Sequence, residues 1–209
     1  MTDIKSDTKS NTKPLSFNQQ LRALSPWQQL AFITALAQRS SVNYPLFCEA
    51  VDFGEAGALN KLLGLLWESQ LTKEAKINWA VQQERLPELQ PDPDAYAMYG
   101  VYPALDAVMA VELAIEQALQ TDEENAIRAS KLSRSTVRQF LVKQLPEDFD
   151  EQHESTWLRS QPLMDDENAF QDELLAQVTS ANIPHPLLIR QLRKLANNQG
   201  FSNLGISLD

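Results

Sequence analysis

The sequence predicts an all-α protein, a single-domain bundle of about eight helices. Three observations point there. Leu, Ala, Gln and Glu, all strong helix formers, abound, while only six glycines occur in 209 residues. Apolar residues recur at the three- and four-residue spacing of a helical face along most of the chain. No alternating, β-branched run of strand length is present, apart from a weak candidate at Leu204 to Leu208.

Taken in order, residues 1–14 are rich in Ser, Thr, Lys, Asn and Asp with almost nothing to bury, and are expected to form a disordered tail ahead of a single helical domain at 15–209. Ser25-Pro26-Trp27-Gln28 combines a capping Ser, Pro at the first helical position and Gln three residues after the cap. The helix it opens runs to about Arg39 and is apolar on most sides, so it should be largely buried. Asn43-Tyr44-Pro45 starts a short helix to about Val51. Leu59, Leu62, Leu63, Leu66 and Trp67 share one face of the next. Thr72 is positioned to cap a helix carrying Ala75, Trp79, Gln82 and Leu86 inward, which stops at the segment Pro87 to Pro93.

Asp94 begins a short turn broken at Gly100. From Val101 to Gln120 the polar residues Asp106, Glu112, Glu116, Gln117 and Gln120 fall in an arc of about 140°, and an otherwise apolar helix of that kind belongs at the centre. Thr121 is the expected cap of the following helix, with Asp122, Glu123 and Glu124 where the macrodipole favours anions. Pro146 ends it, and an acidic connector follows. Residues 163–181 read as an amphipathic helix with Leu163, Phe170, Leu174 and Val178 inward, and Pro184 and Pro186 open a last helix that stops at Gly200.

Charge and composition narrow the function classes. The net charge is −10, which disfavours generic binding to phosphate backbones. A lone cysteine, Cys48, allows no intramolecular disulfide, no apolar run approaches the roughly 18 residues that span a bilayer, and residues 1–15 lack the apolar core of a signal peptide. A soluble, cytoplasmic protein without membrane contact is the expectation. His153 and His185 lie in unrelated segments and neither forms a Glu-x-x-His pair, so no metal site is expected. Gly54, Gly57 and Gly64 have the wrong spacing for a phosphate loop or dinucleotide fingerprint, so no cofactor is expected. Cys48, in the apolar run Tyr44-Pro45-Leu46-Phe47, reads as a buried structural thiol.

Two constellations could contact a ligand. Tyr99-Gly100-Val101-Tyr102-Pro103, with Asp106 one turn on, places a glycine break and a proline at a helix entrance, where backbone amides are exposed. A capped turn whose tyrosines wedge between helices explains the same residues. Glu68, Lys73, Lys76 and Asn78 gather at a junction of two helices, where a salt-bridged corner is the plain alternative. A third feature is the stripe Arg128, Lys131, Arg134 and Arg138, within an arc of about 120° on one helix. No acid lies between Ala126 and Pro146, and the expected partner of the stripe is the acidic connector beginning at Glu147.

The runs Leu24-Ser25-Pro26-Trp27-Gln28, Asn43-Tyr44-Pro45-Leu46-Phe47, Leu66-Trp67-Glu68, Lys73-Glu74-Ala75-Lys76-Ile77-Asn78-Trp79 and, most specifically, Tyr99-Gly100-Val101-Tyr102-Pro103-Ala104-Leu105-Asp106-Ala107 resemble the YjaG family of bacterial proteins, as does the tail Ser202-Asn203-Leu204-Gly205-Ile206. The likeness spans Leu21 to Ile206 and implies an all-helical fold; the family is a domain of unknown function, so no catalytic residue transfers. The chain departs from the family's pattern at Gln38-Arg39-Ser40-Ser41-Val42-Asn43-Tyr44, in place of a Glu-Arg-Met-x-Pro-Asn-Tyr run, and at Ala97, in place of an acid.

The leading expectation is a helical binding or protein-interaction domain without recognisable catalytic machinery, with a protein partner or a second copy as its ligand. The alternative is an enzyme or small-ligand binder using Tyr99, Tyr102 and Asp106 with Glu68, Lys76 and Asn78. A nucleic-acid-associated factor, resting on the basic stripe alone, comes third.

Overall fold

The computed structural model describes residues 14–72 and 75–208. The expected tail at 1–14 therefore lies, up to residue 13, outside the described residues. The elements are α1 (Phe17–Arg22), α2 (Pro26–Ser40), α3 (Asn43–Val51), α4 (Ala58–Leu71), α5 (Trp79–Glu84), α6 (Val101–Leu119), α7 (Asn125–Val142), α8 (Glu151–Arg159), α9 (Pro162–Thr179) and α10 (Pro186–Asn197). Short 3-10 turns lie at Leu86–Leu89, Pro93–Ala95 and Asn198–Gly200. No strand occurs among the described residues, and Leu204 to Leu208 close the chain as turn and coil.

Two helices organise the rest. α2 begins as its sequence dictates: the Ser25 N–H and hydroxyl both donate to Gln28 Oε1 at 2.8 Å. The Gln28 amide then donates to the Val178 and Ala181 carbonyls at 2.9 and 3.0 Å, so the same cap pins α2 to the end of α9. Downstream, Ala31, Phe32, Ile33, Ala35, Leu36 and Ala37 are buried on all sides, and α2 packs on α4, α6, α7, α9 and α10. α6 lies across it, meeting α2, α3, α4, α5 and α7, with Ala104, Ala107, Ala110 and Ala114 letting neighbours approach closely. The long apolar reading of Val101 to Gln120 thus does mark a central helix.

Several boundaries differ from the sequence reading, each for a local reason. Thr72 terminates α4, its N–H donating to the Glu68 carbonyl at 3.0 Å, and the next helix is capped instead by Asn78, whose Oδ1 accepts from Val81 N–H at 3.3 Å. Glu124, not Thr121, stands at the start of α7, and the turn before it is held by the Asp122 carboxylate accepting from Glu124 N–H at 2.9 Å. The acidic connector contains α8, whose first turn is held by Asp150 accepting from Gln152 N–H at 2.9 Å. Ser16 and Gln19 form a cap that starts α1. Gln117, placed by periodicity on the polar arc of α6, is buried and donates to Gln29 Oε1 on α2 at 2.8 Å.

A second, smaller cluster of Val137, Leu141, Leu158 and Leu204 lies under α7, α8 and the C-terminal turn, with Phe140, Trp157, Leu163 and Met164 around it. The C-terminal turn returns to the core: Asn203 N–H donates to the Arg39 carbonyl at 3.1 Å, and Asn43 Nδ2 to Asn203 Oδ1 at 3.1 Å.

Candidate interaction groove

α6 and α7 form a hairpin whose register is fixed by polar pairs. At the closed end, Gln117 Oε1 accepts from Asp122 N–H at 3.1 Å and from Asn125 Nδ2 at 3.3 Å. Near the other end Thr136 Oγ1 donates to Asp106 Oδ2 at 2.7 Å, and the Tyr99 and Phe140 rings lie 6.3 Å apart. The helices therefore run antiparallel. Along their outer seam lie two adjoining clefts, of about 580 Å³ at the hairpin turn and about 590 Å³ in the middle, and a separate cleft of about 360 Å³ lies between Tyr99 and the last turns of α7.

The middle cleft has an apolar floor of Met109, Leu113 and Leu132. Met109 is 40% exposed, and Tyr102 (46%) and Leu119 (44%) lie toward the two ends of α6. The walls carry opposite charge, with Glu112 and Glu116 on α6 facing Arg128 and Lys131 on α7. Partial burial, then the neighbouring Glu116, push the Glu112 carboxyl above the ordinary glutamate range. Burial also pushes Asp106 up, opposed by the Thr136 hydroxyl that bonds its charged form.

The candidate ligand residues divide into two groups. Tyr99, Tyr102 and Asp106 stand together, with the Tyr99 and Tyr102 rings 5.8 Å apart. Burial, then the adjacent Asp106 charge, push the Tyr99 phenol up to about 12. Tyr99 lines the cleft beyond it with Arg138 and Lys143. Glu68 is exposed on the last turn of α4, Lys76 is exposed in the link to α5, and Asn78 is occupied as the α5 cap. No hydrogen bond or ion pair among the described residues joins these three to Tyr99, Tyr102 or Asp106. Lys73 lies outside the described residues.

The basic stripe is not held by the acidic connector as a unit. Arg138 pairs with Glu154 on α8, as expected, but Arg128 reaches Asp122 at the start of its own helix, 3.9 Å away. Arg134 turns inward: its Nε donates to Asn168 Oδ1 at 2.9 Å, its Nη1 to Ser130 Oγ at 2.6 Å, and its guanidinium lies 4.7 Å from the Phe17 ring centre. Lys131 remains exposed at the groove wall. Different positions on one helical arc thus meet different neighbours.

Periodicity missed a buried polar cluster between α2, α7 and α9. Glu167 is fully buried, its Oε1 accepting from Ser133 Oγ and Gln171 Nε2, both at 2.6 Å, while Arg39 Nε lies 3.5 Å from Oε2. The Arg39 guanidinium stacks 4.2 Å from the Phe170 ring centre, and Ser130 Oγ donates to Gln171 Oε1 at 2.7 Å. Desolvation raises the Glu167 carboxyl and lowers Arg39 and Arg134, each partly opposed by the opposite charge. Polar residues directed inward look the same in a sequence as those directed to water. The only cue was the close spacing of Ser130, Ser133 and Arg134 on one helix and of Glu167 and Gln171 on another.

Outside these regions, Cys48 is a buried free thiol beside Tyr44, its acidity suppressed chiefly by burial. His185 caps α10, its Nδ1 accepting from Leu187 N–H at 3.2 Å, and His153 Nδ1 lies 2.9 Å from Asp150. Among the described residues no three His, Cys, Asp or Glu side chains gather as a metal site, and no helix is long and apolar enough to cross a membrane.

Against known proteins, the family described as "Protein of unknown function (DUF416)" matches residues 16–207. The uncharacterised protein YjaG of Salmonella typhimurium is 32% identical over 188 residues, 90% of this chain and 94% of that protein. Its Escherichia coli K12 counterpart is 31% identical over 187 residues, 89% and 93% of the two chains. A crystal structure of a DUF416 family protein from Shewanella baltica superposes with a TM-score of 0.87 at 34% identity, covering 93% of this chain and all of that one.

Proposed function

We propose that this chain, which belongs to the DUF416 family, is a helical protein-interaction module whose α6–α7 seam seats an amphipathic helix of a partner protein. One observation carries the reading. A central helix, expected to bury its apolar residues, leaves Met109 open to solvent, with Leu113 and Leu132, on the floor of a trough walled by Glu112 and Glu116 on one side and Arg128 and Lys131 on the other, and Leu119 lines the adjoining cleft at the hairpin turn. An apolar spine between opposite charged rails suits a helix with anchors at i, i+3 or i+4 and i+7 and complementary charges at its flanks. The rails also reject a helix inserted in the reverse sense, which would set like charges together.

The test is a photo-crosslinking amino acid at Met109 in living cells. A discrete protein adduct, lost in a Glu112→Lys/Lys131→Glu variant that remains folded, is the expected result. An adduct pattern no different from that of an exposed control position would overturn the reading. We also infer a cytoplasmic location, supported by the single buried free thiol.

A second reading has its own observation: Tyr99 shares a cleft of about 360 Å³ with the cations Arg138 and Lys143, a setting for a small anion. A metabolite screen by thermal shift on wild type, Tyr99→Phe and Lys143→Gln tests it. A stabilising anion whose effect is lost in either variant supports this reading, and its absence sinks it.

A further inference from the structure

We propose that the outward face of α10 is a second docking surface, complementary to an acidic, apolar-anchored segment of a partner protein. α10 buries Ile189, Leu192 and Ala196 and packs on α2, α4 and α9, so it is a different wall of the molecule from the α6–α7 seam. Its opposite side exposes Arg190, Arg193 and Lys194, and the helix carries no carboxylate. The cations paired with carboxylates among the described residues are Arg22, Arg39, Lys61, Arg128, Arg138 and His153; the three on α10 have no such partner. In a chain of net charge −10, a face with three unneutralised cations inside two helical turns stands out from its surroundings.

The apolar component lies beside it. Ile183 is 74% exposed and Leu187 60%, the two most exposed large hydrophobic side chains among the described residues. Both lie at the entrance to α10, where prolines 184 and 186 fix the backbone and Trp27 Nε1 donates to the Asn182 carbonyl at 3.2 Å. A shallow cleft of about 770 Å³ between α9 and α10, walled by Ala176, Leu188 and Leu195 with Glu173 on its α9 side, opens beside Lys194, so the acidic segment is expected along the Arg190 and Lys194 side of α10 and only its apolar anchor in the cleft. Apolar anchors at one end and cations spaced three and four residues apart along the face match a helix or extended segment with acids at the same intervals.

Charge selects the class of partner. A membrane or a nucleic acid presents many negative charges over a wide area, and the acidic remainder of this chain is repelled by it. A short acidic segment engages the three cations locally, and charges farther off than about 8 Å are screened at physiological salt. α10 also offers no aromatic ring on which bases could stack.

The probe is a fluorescein-labelled peptide of Glu and Leu, with Leu at helical i, i+3, i+4 and i+7 spacing, titrated by anisotropy against the full chain. A peptide of equal composition with the Leu dispersed, the same peptide with Lys for Glu, phosphatidylserine/phosphatidylcholine vesicles and single-stranded DNA form the other arms. Saturable binding of the patterned acidic peptide alone is expected. It should weaken about tenfold in Arg190→Glu/Lys194→Glu and less in Arg190→Gln/Lys194→Gln. Leu187→Ala should reduce affinity without changing its dependence on salt, and Met109→Glu, which disables the α6–α7 groove, should leave it unchanged. Circular dichroism on each variant confirms that the fold is kept. The proposal is overturned if the patterned peptide fails to bind, if the dispersed peptide binds equally, if vesicles or DNA bind in its place, or if the charge-reversed variant binds as wild type does.

Discussion

The two sides of α7 hold similar residues in opposite circumstances. On the inner side Ser130, Ser133 and Thr136 each have a hydrogen-bond partner on α6 or α9, and Arg134 is bonded to Asn168 and stacked on Phe17. On the outer side Arg128 and Lys131 flank an apolar trough that no other described residue fills. Polar groups whose valences are met inside the fold fix the register of helices. Charges set around an open apolar floor offer the same interactions to another molecule. Burial and saturation, and not residue type, separate the two roles.

That contrast breaks most visibly at Glu167. Glu167→Ala removes a buried carboxylate from Ser133, Gln171 and Arg39 and leaves Arg39 and Arg134 without their common counter-charge. Truncating one partner of a buried ion pair costs about 3–5 kcal/mol, so a large fall in the urea midpoint is expected. Glu167→Gln, which keeps the shape and one acceptor, should lose much less. A loss under about 1 kcal/mol for Glu167→Ala would mean that the cluster is no more than tolerated.

Next in size is Thr136→Val, which leaves Asp106 without its hydroxyl donor in a half-buried position; about 1–3 kcal/mol of destabilisation is expected. If Asp106 instead turns to water at no cost, stability will be unchanged and the pair does not fix the hairpin.

The pH dependence sharpens the same comparison with a smaller effect. The folded-state pKa of Glu167 is raised, so the folded protein holds that proton more tightly than the unfolded chain does. Its favourable contribution is complete below the unfolded value, about pH 4, and is lost as pH rises through the folded value. Glu167→Gln removes this titration. The stability of the Gln variant relative to wild type should therefore increase as pH rises from about 4 to about 7. A constant difference over that range would show that burial does not shift this carboxyl.

The fold was legible wherever one residue determines one local event. Ser25 and Gln28 capped α2 as their spacing required, Pro186 opened α10, and the apolar run from Val101 became the central helix. Capping differs at two helix starts: Thr72 ends α4 and leaves the start of α5 to Asn78, and Asp122, not Thr121, accepts in the turn before α7, because an Asx side chain reaches the nearby N–H groups of a tight turn. The groove was only half legible. The sequence singled out Tyr99, Tyr102 and Asp106 and the stripe on α7, but which flank of α6 stays open depends on where α2, α3 and α5 pack, and that is set by contacts distant in sequence.

The smallest stability effect is expected where the proposed function is greatest. Met109 lies at the floor of the groove with 40% of its surface exposed, and replacing it with Glu puts a charge where solvent already reaches. Substitutions at such positions usually change stability by no more than about 0.5 kcal/mol, so Met109→Glu should unfold in urea at nearly the wild-type midpoint. If the trough seats a partner helix, however, the same change puts a carboxylate on the apolar floor, where a docked apolar anchor desolvates it and Lys131 can reach it only by leaving the partner's acids. Crosslinked adducts formed from neighbouring positions such as Leu113 should then disappear while the fold persists. A variant that loses stability by several kcal/mol would show instead that Met109 belongs to the core and that the seam is only an imperfectly closed interior. The stability measurement therefore has to precede any binding measurement, because only a neutral Met109→Glu makes loss of an adduct a statement about recognition.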